Sequence, residues 1–282
     1  MDARHFLGLE PTEDPLHWRL PVSPGISTPG HFLYGGCALA AGIVALEEAA
    51  QRPTVWASAQ YLSYAPTGTD VDWEVVLPAV GRNSAQGRAI ARVGDVEIIT
   101  VNAALGRGKL DLEGTWVDMP DVPSPAECPL QEVPDFFADT ILTRVEHRVA
   151  KGRLFSQLDG KPGAADSAFW ARLPGHLDVS AATLAVIGDY VAGAVSQPLG
   201  RRTLSRSLDN TLRVAQLVPT QWVLCDIRMH VLAHGFAHGE AHLWAEDGTL
   251  LGTASQSMSV RLWTDDTVFT PPKPPAGSEV RR

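Results

Sequence analysis

The chain has 282 residues and a mass of 30.3 kDa, with 45% hydrophobic and 20% charged residues. This composition is typical of a soluble globular protein with a substantial core. The formal net charge of −9 argues against a nucleic-acid partner, because phosphate binding needs a basic face and the sequence has no large Lys/Arg cluster.

Cysteine usage and hydropathy predict where the chain resides. The three cysteines are widely separated and form no CxxC pair, which predicts a reducing compartment. The longest apolar run, at 37–46, is shorter than the roughly 20 residues that cross a bilayer. We therefore expect a cytoplasmic protein without a membrane span.

The first half of the chain predicts one helix followed by a sheet. An Ala-rich apolar helix is expected at Gly35–Ala50, ending before Pro53, and a helix that is apolar on nearly all sides is buried. Alternating, β-branched segments separated by turn residues predict the strands that follow it. These strands are expected at 55–64, 71–77, 87–93 and 96–104.

The second half repeats this plan. A helix is predicted at 180–195, with Ser180 as its N-cap. Strands are predicted at 141–149, 167–172, 202–214, 222–231, 239–244 and 250–261. Matching landmarks such as Gly87 and Gly239 recur at an offset of about 150 residues, which indicates duplication of one helix-and-sheet unit.

These patterns predict five segments along the chain. The Pro- and acid-rich stretch between the halves is typical of a surface connection. The segments are an N-terminal extension at 1–24, a first unit at 25–106, a linker at 107–139, a second unit at 140–263 and a flexible tail at 264–282.

Asp209 and Gln256 are the candidate catalytic pair. Both lie in segments that alternate like strands of one antiparallel sheet, so a carboxylate and a carboxamide are expected to hold a water between them. Such a pair suits a hydrolase in which Asp deprotonates the water and Gln positions it. Nucleophilic catalysis is not indicated, since the sequence lacks a G-x-S-x-G motif.

The order of segments resembles the type II acyl-CoA thioesterase family. The matching stretches are those at 31–36, 61–66 and 80–84 in the first half, with 207–210 and the Asp247-Gly248 turn leading to Gln256 in the second. The resemblance implies an α+β double-hotdog fold, in which two helix-wrapped antiparallel sheets are fused in one chain. It also implies hydrolysis of acyl-CoA to carboxylic acid and CoA without a covalent intermediate or a cofactor.

The resemblance assigns roles to residues of this sequence. The family binds the attacking water with an Asp, a Thr or Ser and a Gln, which Asp209 and Gln256 match, with His230 at the expected hydroxyl position. Asn210 stands where many members have His.

The first half is expected to complete the site. There the resemblance implies that Gly35 and Gly36 bind the oxyanion through a backbone N–H, and that Tyr34 and His31 line the acyl tunnel. Pairing of two chains in a homodimer is also expected.

Two alternatives and one excluded site complete the predictions. His230 beside Asp209 is compatible with a hotdog enoyl-CoA hydratase or dehydratase. The departures at Asn210 and His230 are compatible with a non-catalytic acyl-CoA or lipid-like ligand binder. Four histidines spaced four apart from His230 suggest metal ligation on a helix, but Gly235 and Gly239 interrupt one, so no metal is expected.

Overall fold

The structure is a computed structural model that describes residues 2–173 and 178–264. The predicted flexible tail lies outside the described residues from position 265 onward.

The first half of the chain forms a buried helix followed by four long strands, as predicted. Its elements are α1 (Ala3–Leu7), β1 (Glu10–Pro11), β2 (His17–Pro21), α2 (Gly35–Ala50), β3 (Thr54–Tyr61), β4 (Asp70–Val80), β5 (Ser84–Val93) and β6 (Val96–Gly106).

The second half has the same order of long strands after a shorter helix. Its elements are α3 (Ile141–Arg144), β7 (Glu146–Lys151), β8 (Asp166–Arg172), α4 (Ala181–Gly188), α5 (Val191–Ala194), α6 (Ser196–Leu199), β9 (Thr203–Val214), β10 (Val223–Ala233), β11 (Phe236–Ala245) and β12 (Leu250–Leu262).

Two predicted elements differ from the structure. The strand predicted at 141–149 begins as the helical turn α3, and pairing starts only at Glu146. The single helix predicted at 180–195 is broken into shorter pieces, because α4 ends at Gly188 and Asp189 is its C-cap. The break places an acidic side chain in the interior.

The two halves form one sheet with pseudo-two-fold symmetry. The strand order is β1-β2-β4-β5-β6-β3-β9-β12-β11-β10-β8-β7. From one edge to the middle the order β4-β5-β6-β3 corresponds to β10-β11-β12-β9 from the other edge. The halves join where β3 pairs with β9, and Ser58 faces Thr211 at the centre of this seam with their hydroxyls 2.8 Å apart. The predicted duplication and the double-hotdog architecture are confirmed by this topology.

The two helices pack against each other on one face of the sheet. The α2 residues from Gly36 to Leu46 are buried, and every residue of α4 is buried. Helices that are apolar all round are found where they are enclosed by other elements. The contact between α2 and α4 is therefore the centre of the molecule.

Residues of the predicted N-terminal extension and linker contribute to the folded body. Strand β2 pairs with β4 at the edge of the sheet, and Trp18 in it is buried. In the linker, the Pro123 carbonyl accepts a 2.9 Å hydrogen bond from the Trp170 indole. Within residues 2–173 and 178–264, no helix is long and apolar enough to cross a membrane.

Candidate active site

The candidate site lies where the end of α4 meets the beginning of α2. Asp189 follows the last residue of α4 and is 5% exposed, with its carboxylate directed at the α2 N-terminus. A buried carboxylate is rare unless it is paired or hydrogen-bonded, so its surroundings indicate its use.

Three donors hold the Asp189 carboxylate. The Gly36 backbone N–H donates to Oδ2 at 2.7 Å, and Asn210 Nδ2 donates to Oδ1 at 3.0 Å. Gln256 Nε2 also donates to Oδ1. The N-terminus of α2 adds the positive end of a helix dipole, which favours a negative charge here.

The pKa of Asp189 is raised to about 7, with burial as the main cause. The hydrogen bonds from Gly36, Asn210 and Gln256 act in the opposite direction, because they stabilise the charged form. A carboxylate with a pKa near neutral pH is suited to general-base chemistry.

Gly35 and Gly36 allow α2 to approach Asp189 closely. A Cβ at Gly35 would lie 2.9 Å from Asp189 Oδ2, and one at Gly36 would lie 2.8 Å from Asp189 Cβ. Both distances are shorter than side-chain carbons tolerate. The glycine pair predicted to bind the oxyanion therefore gives the carboxylate room and an N–H donor.

A β-bulge in β9 brings Ser207 and Asn210 to the same side as Gln256. Asp209 pairs with Ser257 and Ser207 pairs with Met258, the next residue of β12. Leu208 is therefore an extra residue in β9 without a partner, which defines the bulge. Gln256 Nε2 lies 3.4 Å from Ser207 Oγ, and Gln256 Oε1 accepts from the Ala192 N–H at 2.9 Å. The amide of Gln256 is thereby fixed between Asp189 and the Ser207 hydroxyl.

Asp209 does not occupy the position predicted for it. Its Oδ1 accepts a 2.8 Å hydrogen bond from the backbone N–H of Ser257, the residue opposite the bulge. The carboxylate that Gln256 contacts is Asp189. The predicted pairing of Asp209 with Gln256 is thus corrected, because the bulge uses the Asp209 side chain to satisfy its own backbone.

The other predicted site residues divide into near and distant ones. His230 lies at a bulge of β10, about half exposed, with Nε2 3.3 Å from Glu240 Oε1, so it is not part of the site. His31 is exposed in the loop before α2. Tyr34, the N-cap of α2, borders the site and its hydroxyl donates to the Val186 carbonyl at 3.3 Å.

The prediction that the Gly36 N–H binds the oxyanion does not agree with this geometry. That N–H already donates to Asp189. Its role in the structure is to hold the carboxylate.

The first unit lacks an equivalent set of side chains. The two-fold relation that exchanges Ser58 and Thr211 makes Ala57 the equivalent of Asn210. Ala103, the partner of Ala57, is then the equivalent of Gln256, the partner of Asn210. Helix α2 carries no carboxylate before Glu47. The residues that the structure describes therefore form one such site, built from side chains of the second unit and backbone of the first.

Asp189 and Ser207 were missed by the sequence predictions. The signal for Asp189 was present, since it is the one charged residue in the otherwise apolar run at 181–195. Ser207 is a residue of the motif at 207–210 whose importance depends on the bulge.

Among residues 2–173 and 178–264, no three His, Cys, Asp or Glu side chains are grouped as metal ligands.

Comparison with known proteins identifies the class. Residues 121–260 match the family model of the acyl-CoA thioesterase C-terminal domain. This match and the fold together indicate a double-hotdog thioester hydrolase. The match also confirms the predicted resemblance to type II acyl-CoA thioesterases.

Solved structures share the fold over nearly the whole chain. A proposed thioesterase from Novosphingobium aromaticivorans is 29% identical, with a TM-score of 0.79, covering 88% of this chain and 97% of that one. A hot dog fold protein of unknown function from Alicyclobacillus acidocaldarius is 19% identical, with a TM-score of 0.79 and coverages of 93% and 98%.

A third structure carries the family name. The acyl-CoA thioesterase II TesB2 from Mycobacterium marinum is 16% identical, with a TM-score of 0.71 and coverages of 93% and 99%. No protein of curated function matches the chain at a significant level.

Proposed function

We propose that this chain hydrolyses acyl-CoA to a carboxylic acid and CoA, with Asp189 as the general base. The observation that carries the proposal is the buried Asp189 carboxylate, held by Gly36, Asn210 and Gln256 with a pKa of about 7. Such a group is ionised often enough at neutral pH to accept a proton and basic enough to do so effectively.

The proposed reaction needs no covalent intermediate. Asp189 takes one proton from a water, and the oxygen of that water attacks the thioester carbonyl carbon. The resulting tetrahedral intermediate collapses, the C–S bond breaks, and the leaving CoA sulfur takes the proton back from Asp189, which regenerates the carboxylate. Each step uses only water, the substrate and the carboxylate.

Gln256 and Ser207 are the proposed positioning groups. Gln256 is oriented by the Ala192 N–H, so its amide nitrogen can face only Asp189 and Ser207. The Ser207 hydroxyl both donates and accepts, which suits it to orient a water. Ser207 thus takes the hydroxyl role that the resemblance assigned to the position of His230.

The test is thiol release from acyl-CoA substrates of short, medium and long chain length. We expect turnover with at least one chain length, and a labelled oxygen from ¹⁸O-water in the acid product of a single turnover. Release of no thiol from any chain length would contradict the proposal. Hydration of 2-enoyl-CoA without thiol release would instead favour the hydratase alternative.

The cytoplasmic location and the homodimer remain predictions. A fractionation experiment tests the first. Light scattering, which measures the mass of the particle in solution, tests the second.

A further inference from the structure

An arginine that is stacked on aromatic rings lies beside the candidate site. The Arg206 guanidinium lies 4.7 Å from the centre of the Tyr64 ring, and the Tyr64 ring packs edge-on against Phe32 with ring centres 4.9 Å apart. A guanidinium over an aromatic face is attracted to it by a cation–π interaction. These three residues, which we call the arginine stack, therefore hold a positive charge in a defined place.

Both ends of the arginine stack are joined to the site by the chain. Arg206 precedes Ser207, whose hydroxyl lies 3.4 Å from Gln256 Nε2. Phe32 lies two residues before Tyr34, the N-cap of α2. Because successive residues of a strand point to opposite faces, Arg206 is exposed to solvent while Ser207 is directed at Gln256. The arginine stack therefore lies on the solvent side of the strand that carries the site's hydroxyl.

The surroundings of Arg206 are basic, although the chain has a formal net charge of −9. Residues 201–206 include three arginines and no acidic residue, and the paired strand β12 carries Arg261 and no acidic residue. The acidic side chain of β9 is Asp209, which accepts a hydrogen bond from the Ser257 N–H. Within residues 2–173 and 178–264, Arg206 has no ion-pair partner. Its charge is therefore free to bind an anion.

The substrate of the proposed reaction carries such an anion. CoA has phosphate groups on its nucleotide, and a flexible pantetheine arm separates them from the thioester. An arginine remains charged at physiological pH and binds phosphate through parallel N–H donors. Since Ser207 is directed into the site and Arg206 out of it, the position of Arg206 suits a phosphate beyond the pantetheine arm rather than the acyl chain.

We propose that Arg206, held on Tyr64, binds a phosphate of CoA and makes the chain selective for CoA thioesters over thioesters that lack the nucleotide. This inference rests on the proposed function. A phosphate at a distance from the reacting carbon is held equally in the ground state and in the transition state. Such uniform binding lowers KM and leaves kcat unchanged.

The experiment compares the CoA thioester with the pantetheine thioester of the same acid, which keeps the arm and lacks every phosphate. The acid is the one whose CoA thioester gives the fastest thiol release. The two substrates are assayed in wild type, Arg206→Gln and Arg213→Gln. Arg213 is the matched control, because it is an exposed arginine of the same strand roughly 20 Å from Arg206.

Wild type is expected to hydrolyse the CoA thioester with a kcat/KM at least about tenfold above that for the pantetheine thioester, the effect of one charged hydrogen-bonded contact. Arg206→Gln is expected to raise KM for the CoA thioester by about tenfold with little change in kcat. Its kinetics with the pantetheine thioester should match those of wild type, which also shows that the variant is folded. Arg213→Gln should behave as wild type with both substrates.

Equal kcat/KM for the two thioesters in wild type would overturn this inference and leave the proposed function standing. An unchanged KM for the CoA thioester in Arg206→Gln, or an equal rise in Arg213→Gln, would also overturn it. So would an equal loss of activity on both thioesters in Arg206→Gln, because that variant would then act on the fold and not on a phosphate contact. Absence of thiol release from every thioester would overturn the proposed function and this inference with it.

Discussion

Replacing Asp189 with Asn is expected to lower kcat for acyl-CoA hydrolysis by about 10²–10⁴-fold, the usual contribution of a general base. Asn has a similar shape but cannot accept the proton of the attacking water. The matched control is Asp209→Asn, which keeps the oxygen that accepts from the Ser257 N–H. We expect Asp209→Asn to retain kcat within about threefold of wild type, since hydrogen bonds outside the reaction do not alter the transition state.

The same variant provides its own test of folding. The folded-state pKa of Asp189, about 7, lies above the ordinary value of 3.8. Wild type therefore loses stability as pH rises from about 4 through 7, because the unfolded carboxyl ionises first. The Asp189→Asn variant has no carboxyl at this position and therefore no such loss. The difference between its free energy of unfolding and that of wild type should shift in favour of the variant by up to about 4 kcal/mol between pH 4 and pH 8.

Two results would count against Asp189 as the base. One is full activity in Asp189→Asn with a normal unfolding transition. The other is a loss of activity in Asp209→Asn as large as that in Asp189→Asn, which would return the role to Asp209.

Replacing Gly36 with Ala is expected to impair both folding and catalysis. Its Cβ would lie 2.8 Å from Asp189 Cβ and 2.9 Å from the Ala185 carbonyl oxygen, so α2 and α4 must move apart. Such overpacking typically costs about 1–3 kcal/mol. The movement also weakens the hydrogen bond from Gly36 to Asp189, and we expect kcat to fall by about 10–100-fold, as for a small displacement of a catalytic group.

Gly42→Ala is the matched control in the same helix. Its Cβ would lie 2.8 Å from Val101 Cγ2 and 3.0 Å from the Trp73 ring, away from Asp189. Chemical denaturation should show a similar loss of stability in both variants, while kcat falls only in Gly36→Ala. An equal fall in kcat in the two variants would attribute the effect to general loss of stability.

Most of the fold could be predicted from the sequence because its periodicity is strong. Helix α2 is apolar over its buried length, and the long strands alternate between buried and exposed residues, as in β5 with Ala85, Gly87 and Ala89 facing inward. The second half was predicted to repeat the order of one helix followed by strands, because its apolar and alternating segments resemble those of the first half. The break at Gly188 was not predictable from apolar residues alone, since Asp189 is stabilised by donors from α2, β9 and β12.

Some of the predicted site residues lie together in the structure, for a physical reason. Gln256, Gly35 and Gly36 surround Asp189, and each lies in a regular segment of the sequence. Their roles in catalysis stay predictions. Asp209 was preferred over Asp189 because a bulge at Leu208 cannot be read from strand alternation, and that bulge reverses which residues face the interior. His230 lies at the bulge of β10 between Met229 and Val231, whereas Ser207, the hydroxyl beside Gln256, lies at the bulge of β9.

The pH dependence of kcat/KM for thiol release tests the central claim most directly, because it reports the ionisation of the essential base in the free enzyme. With Asp189 as the base and its pKa about 7, kcat/KM should fall about tenfold per pH unit well below 7 and be level above 8. The residual activity of Asp189→Asn should lack this dependence. A rate that is level from pH 5 to 9 in wild type, or a titration that persists unchanged in the variant, would contradict the claim.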